Sequence, residues 1–346
     1  MKVILLDVRT GSDWSLDLLF SGLVYTLGAS NVYDLPVHEK HRQGIVGLTG
    51  NHERDWGNER KSLGYTPYYP YLPRGGISEM YHLAKKGEIS YIFVDERDES
   101  YMLYRNLQLH MFDIPVVVVS GHDRFWNDSV EKVKALYGKR FHSMFADNML
   151  PEIYKHDRVY PYKWSANFDH LWDAKRDSEL LKEKVYDICF MGYNSHGSRA
   201  RYVDHIVKKW GHLNNHIVLE TQANTFSAFV PKREYFRKIA QSKIAINFRG
   251  AAVNGKAMRF LEIPYVGSCM LSEKTGWILE DDWEDWKQLV YFRNESDLDH
   301  AVDTLLGDAD LRERIASAGK RNLFDNHLAS IRAKEIIGVL NANPRR

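Results

Sequence analysis

Two cysteines in 346 residues, Cys189 and Cys269, both inside apolar strand-like runs, leave no material for a disulfide framework or a cysteine metal cluster. A reduced, cytoplasmic setting follows as an expectation. Long apolar runs are missing too: no stretch approaches the roughly 18–20 consecutive residues of a membrane span. The opening MKVILLDVRTG is too short in its apolar part for a secretory signal and reads as a buried first strand. Charge of one sign is also lacking. The formal net charge is +1, and splitting the chain at residue 182 leaves both parts within a few charges of neutral. That gives no whole-chain attraction to a polyanion. Proline is held to 10 residues, and no internal repeat or low-complexity tract is visible. What is abundant is aromatic: 20 Tyr and 9 Trp serve mainly core packing, with stacking on sugar rings or bases as a second use.

A length of 346 residues exceeds one ordinary core and suggests two domains. Short β-rich runs apolar on both faces alternate with amphipathic segments, the signature of an open, mostly parallel α/β sheet. Runs at 3–8, 31–36, 89–95 and 114–121 with helices at 14–27 and 98–110 build a first domain over 1–182. It is interrupted at 37–76 by an insertion rich in His, Arg, Tyr, Gly and Pro. A second domain over 183–327 restarts with strands at 186–192, 216–220, 243–248, 268–271 and 289–292. Its helices are expected at 198–210, 232–241, 295–306 and 308–324. A last helix near 328–341, within 328–346, is expected to return to the first domain.

The segment 242–271 is the richest in chemistry. An apolar strand enters a Gly- and Asn-rich turn, and a helix is expected to start near Gly255 and stop at Pro264. On it Lys256, Arg259 and Glu262 are three residues apart, so two cations and a carboxylate share one side. Phosphate suits the cations, while an ionised carboxylate accepts only from donors such as ribose hydroxyls. A nucleotide has both parts. Backbone around Ala252–Gly255 and the strand-to-helix passage through Gly192 and Asn194 into Arg199 are further phosphate candidates, with helix capping at Ser198 the alternative. In the first domain, His122 and Asp123 follow a buried strand at the carboxyl edge where open α/β sheets bind ligands. There Asp123 is a candidate base for an inverting mechanism. Gly11 would let backbone approach a diphosphate, and Asp13 either faces an acceptor hydroxyl or caps a helix. No metal site is expected: Asp297 with Asp299 and Asp308 with Asp310 have the D-x-D spelling but sit at polar helix starts.

Residues 186–341 resemble the group 1 glycosyltransferase domain of CgeB-like proteins. The resemblance rests on YDICFMG with Arg199, RFLEIPYVGSCMLSEKTG, LVYF, NESDLDHAVDTLLGD and LRERIASAGKRNLFDNHLASIRAKEII. It implies the GT-B fold, two facing Rossmann-like domains with a central cleft. It also implies a nucleoside diphosphate sugar donor, UDP-sugar foremost, with no cofactor or metal. Glu262 would match the ribose-binding glutamate, and His122 a donor-contacting histidine. Related retaining enzymes carry a second glutamate eight positions earlier, where this chain has Asn254. Hexosyl transfer with retention to a hydroxyl acceptor is the favoured expectation. A hydroxymethylated DNA base is the minority acceptor, with Arg42, Arg54, Arg60, Lys61 and Arg74 as its groove. A nucleotide-sugar epimerase or hydrolase and an inactive sugar-binding protein are the rivals.

Overall fold

The fold was obtained as a computed structural model, which describes residues 1–8, 14–35, 77–120, 127–146, 151–163, 165, 183–194, 197–220, 232–249, 259–274 and 283–344. These form two compact units, one holding the described residues up to 165 together with 327–344, the other those from 183 to 326. The 37–76 insertion lies outside the described residues.

In the first unit, β1 (Lys2–Leu6), β2 (Val32–Leu35), β3 (Ile89–Asp95), β4 (Val116–Ser120), β5 (Phe141–Ala146) and β6 (Val159–Pro161) form a parallel sheet ordered β2-β1-β3-β4-β5-β6. The runs are apolar throughout because both faces are covered. Ile4, Leu6, Ile92, Val94, Val116, Val118 and Met144 join one core, with Met80 and Leu83 of α2 (Ile77–Lys85) and Val130 and Val133 of α4 (Asn127–Tyr137). Their neighbours Val3, Leu5, Phe93, Val117, Val119 and Phe145 join the other, with Leu19, Phe20 and Leu23 of α1 (Trp14–Leu27) and Ala333, Ile336 and Leu340. This is the period of two expected of strands. Between β3 and β4, α3 (Asp98–Asn106) ends earlier than the spacing suggests, where Gln108 turns left-handed at φ 51°.

In the second unit, β7 (Tyr186–Tyr193), β8 (His216–Glu220), β9 (Ser242–Asn247), β10 (Cys269–Glu273) and β11 (Val290–Phe292) give the order β11-β10-β9-β7-β8, again parallel. One face buries Phe190, Ile246, Leu271 and Phe292 against Tyr202 and Ile206 of α5 (Gly197–Trp210) and Leu298 and Val302 of α8 (Glu295–Gly307). Beside β7 and β9 lie α6 (Lys232–Ala240) and α7 (Arg259–Tyr265), and α9 (Ala309–Asn326) packs on α7 and β10. The last helix, α10 (Ala329–Ala342), belongs to the first unit and packs along α1. Thr26 donates to the Ser330 carbonyl at 3.3 Å, and Gly22 leaves room for the Ala329 carbonyl, which any Cβ would strike.

Within each unit the chain leaves its first strand for a neighbour on one side and returns to the other side for the next. Such a reversal parts the connections above the carboxyl ends of the two central strands, the usual ligand crevice of an open parallel sheet. In the second unit those strands are β7 and β9.

The helix expected from Gly255 to a stop at Pro264 differs. Its described part begins at Arg259 and runs through Pro264 to Tyr265. Gly267, at φ 77°, closes it: Gly267 N–H donates to the Pro264 carbonyl at 3.0 Å, and Ser268 N–H to the Ile263 carbonyl at 3.4 Å. This paired closure needs a left-handed residue, which glycine adopts freely.

Candidate functional site

Glu262 projects from α7 but is only 5% exposed. An exposed i,i+3 ion pair on a helix surface is therefore not its setting. A buried carboxylate needs donors, and one comes from another element: the Tyr235 hydroxyl of α6 donates to Oε2 at 2.7 Å. Burial, reinforced by the Glu262 charge, holds the Tyr235 phenol well above its ordinary pKa, so it remains a donor. Tyr235 was not among the residues singled out from the sequence. A tyrosine inside an amphipathic helix carries no signal that separates it from core.

One turn earlier, Arg259 runs back over the end of β7. Its Nε donates to the Met191 carbonyl at 3.3 Å and its guanidinium carbon lies 5.4 Å from the Phe190 ring centroid. The path exists because residue 192 is glycine: a Cβ there would sit 2.5 Å from Arg259 Nη2 and 3.0 Å from Phe190 Cζ. Among the described residues neither Nη group of Arg259 has a protein partner.

Arg199, in the first turn of α5, is used differently. It is 5% exposed, donates Nη1 to the Tyr193 carbonyl and Nη2 to the Arg249 carbonyl at 3.0 Å, and so ties the carboxyl end of β7 to that of β9. Burial, and after it the like charge of Arg259, pull its pKa down to about 10, which leaves it cationic at neutral pH. Arg249 is itself held: its N–H donates to Glu273 Oε2 at 3.2 Å and its Nε pairs with Oε1 at 3.3 Å. The carboxyl edge of β7, β9 and β10 is thus braced by Arg199, Arg249 and Glu273, with Arg259 and Glu262 beside the brace. Neither Arg249 nor Glu273 stood out in the sequence.

Gly192 therefore meets Arg259, and Asn194, exposed, continues the β7 pairing through N–H to the Glu220 carbonyl at 2.7 Å. Gly11, Asp13, His122, Asp123, Asn254, Gly255 and Lys256 lie outside the described residues. In the first unit the equivalent edge carries Asp7, just past β1, and Asp95, ending β3, both essentially buried. Asp95 accepts from Arg97 Nη1 at 2.5 Å and from its N–H at 3.0 Å. Among the described residues no group of three His, Cys, Asp or Glu is placed to hold a metal ion, and no helix is long and apolar enough to cross a membrane.

Two parallel sheets of this order define the GT-B fold, and solved structures share it. A glycosyltransferase from Rickettsia africae is 12% identical with a TM-score of 0.64, over 99% of this chain and 98% of that one. Anabaena Alr3699/HepE, solved with UDP-glucose, is 10% identical with a TM-score of 0.55, over 99% and 100%. A putative UDP-N-acetylglucosamine 2-epimerase from Listeria monocytogenes is 12% identical with a TM-score of 0.50, over 100% and 98%. No curated protein matches the chain by sequence. Residues 176–338 match the family model described as Glycosyl transferase-like, and the fold of the whole chain is that of GT-B glycosyltransferases. The match does not distinguish a CgeB-like subtype.

Proposed function

We propose that the chain transfers a hexosyl group from UDP-sugar to a hydroxyl acceptor, with retention at the anomeric carbon. The observation that carries this is the pairing, on one helix at the β7/β9 switch point, of a buried carboxylate with a cation whose Nη groups have no protein partner among the described residues. Glu262 accepts from the ribose hydroxyls and Arg259 faces the diphosphate. The anomeric C–O bond to the diphosphate breaks, the bond to the acceptor oxygen forms, and the acceptor proton leaves with the released diphosphate or a first-domain base. Asp123, His122 and Asp13 are the candidates for that base and its neighbours. Negative charge grows on the leaving diphosphate, so a preorganised guanidinium acts most strongly at the transition state. Asn254 hydrogen-bonds the sugar without adding charge, while Lys256 and the Gly255 backbone join Arg259 on the diphosphate. Arg199 keeps the edge in place and does not touch donor. The 37–76 segment contacts the acceptor, and the transfer needs no divalent ion.

The UDP and UDP-glucose bound in the Anabaena neighbour support the choice of nucleotide. Calorimetric titration with UDP tests the reading. Glu262→Ala is expected to weaken binding by about 1.5–3 kcal/mol, the worth of hydrogen bonds to a charged group. Unchanged affinity would sink it. The epimerase neighbour motivates a second reading, donor consumption with no acceptor. Release of UDP from UDP-sugar at the same rate with and without acceptors would favour it.

A further inference from the structure

We propose that Tyr235 is a positioning residue for nucleotide recognition, setting the Glu262 carboxylate in the orientation that reads ribose. This rests on the reading above. A carboxylate at the end of a glutamate side chain has three torsions to settle, and a donor on another element can fix the last of them. The Tyr235 hydroxyl commits Oε2 from outside that helix, at 2.7 Å and across 27 residues of sequence. The donor is itself immobile. Tyr235 neighbours Phe236, whose ring centroid is 5.4 Å away, and Phe236 in turn meets Tyr265 of α7 at 6.3 Å. Phe236 and Tyr265 are 1% and 3% exposed, so α6 and α7 are locked together one residue from the phenol. A charge-assisted bond from a side chain with only two torsions orders the carboxylate at small entropic cost. The orientation of the ribose reader is therefore set by α6, from outside the helix that carries it.

Recognition by an oriented carboxylate has a chemical signature. It discriminates hydroxyls, whereas the diphosphate is read separately by Arg259. Titrate wild type and Tyr235→Phe with UDP, 2′-deoxy-UDP, 3′-deoxy-UDP and UMP, with thermal melts to confirm that both are folded. Wild type is expected to prefer UDP over at least one deoxy analogue by about tenfold or more. In Tyr235→Phe that preference should fall to within about threefold, while the UDP-to-UMP ratio is retained. A residue that merely packs would weaken all four ligands alike, so an undiminished preference for ribose hydroxyls overturns the proposal. Should Tyr235→Phe not fold, Glu262→Gln and the double variant Tyr235→Phe/Glu262→Gln carry the test. The proposal expects equal UDP preference in the two, and a further loss in the double variant overturns it. Failure of wild type to bind UDP at all would remove the functional reading and this inference together, an outcome distinct from either.

Discussion

The residue with the sharpest consequence is Gly192. A methyl there meets the far end of the Arg259 side chain, which moves readily, so Gly192→Ala should melt within a few degrees of wild type. The guanidinium, however, must leave its place on Phe190 and the Met191 carbonyl. UDP affinity is expected to fall about tenfold, the loss of one charge-assisted bond, measured by calorimetry alongside the melt. Affinity at the wild-type level would show that Arg259 does not face the phosphates. Arg199 gives the opposite pattern. A lysine cannot span the Tyr193 and Arg249 carbonyls as a guanidinium fork does. Arg199→Lys should therefore cost about 1–3 kcal/mol in urea unfolding, as a buried acceptor loses its donor. Arg259 and Glu262 were legible as candidates because helical spacing puts charge where a strand ends. Nothing in the sequence told the two arginines apart, since the difference lies in which carbonyls come within reach after folding.

At the scale of elements, the parallel strands were legible wherever both faces are apolar: ISYIFVD forms β3 and HIVLE forms β8 with the bounds the runs suggest. The strand β5 was not, because His142 and Ser143 interrupt its run. Both are buried all the same, His142 with its ring nitrogens on Ser143 Oγ at 3.1 Å and the Asn343 carbonyl at 2.9 Å. Three-residue β6 is too short to announce itself. Pro264 misled about the end of α7, because a proline in the last turn forfeits a single helical N–H bond and the helix runs on to Tyr265 before Gly267 closes it. Helix contacts rest on similar close approaches. At Gly319 of α9 a Cβ would strike the Gln288 carbonyl, a backbone atom with no soft end to yield. Gly319→Ala is expected to destabilise by about 1–3 kcal/mol, read from the denaturant midpoint, despite the better helix propensity of alanine. A gain in stability would mean that the 283–289 segment gives way.

At the scale of the whole molecule, Lys184 contributes a pH dependence of stability with a definite sign. Its ammonium donates to the Ala240 carbonyl at 2.8 Å and to the Gly267 carbonyl and Ser268 Oγ at 3.3 Å, gathering the start of β7 and the ends of α6 and α7. Burial lowers its pKa from 10.5 to about 8. Between those values the unfolded chain binds more protons than the folded one, so this group makes stability rise with pH. The unfolding free energy of wild type minus that of Lys184→Met should accordingly climb between about pH 8 and 10.5 and level off outside that window. A flat difference would show that the ammonium is better solvated than its surroundings suggest. The packing of α10 on α1 bears on synthesis rather than chemistry. Leu19, Phe20 and Leu23 of α1 share a core with Ala333, Ile336 and Leu340. During translation the N-terminal unit must wait, one flank uncovered, until the stretch beyond residue 326 leaves the ribosome. The middle of the chain closes first, and the unit made earliest is finished last.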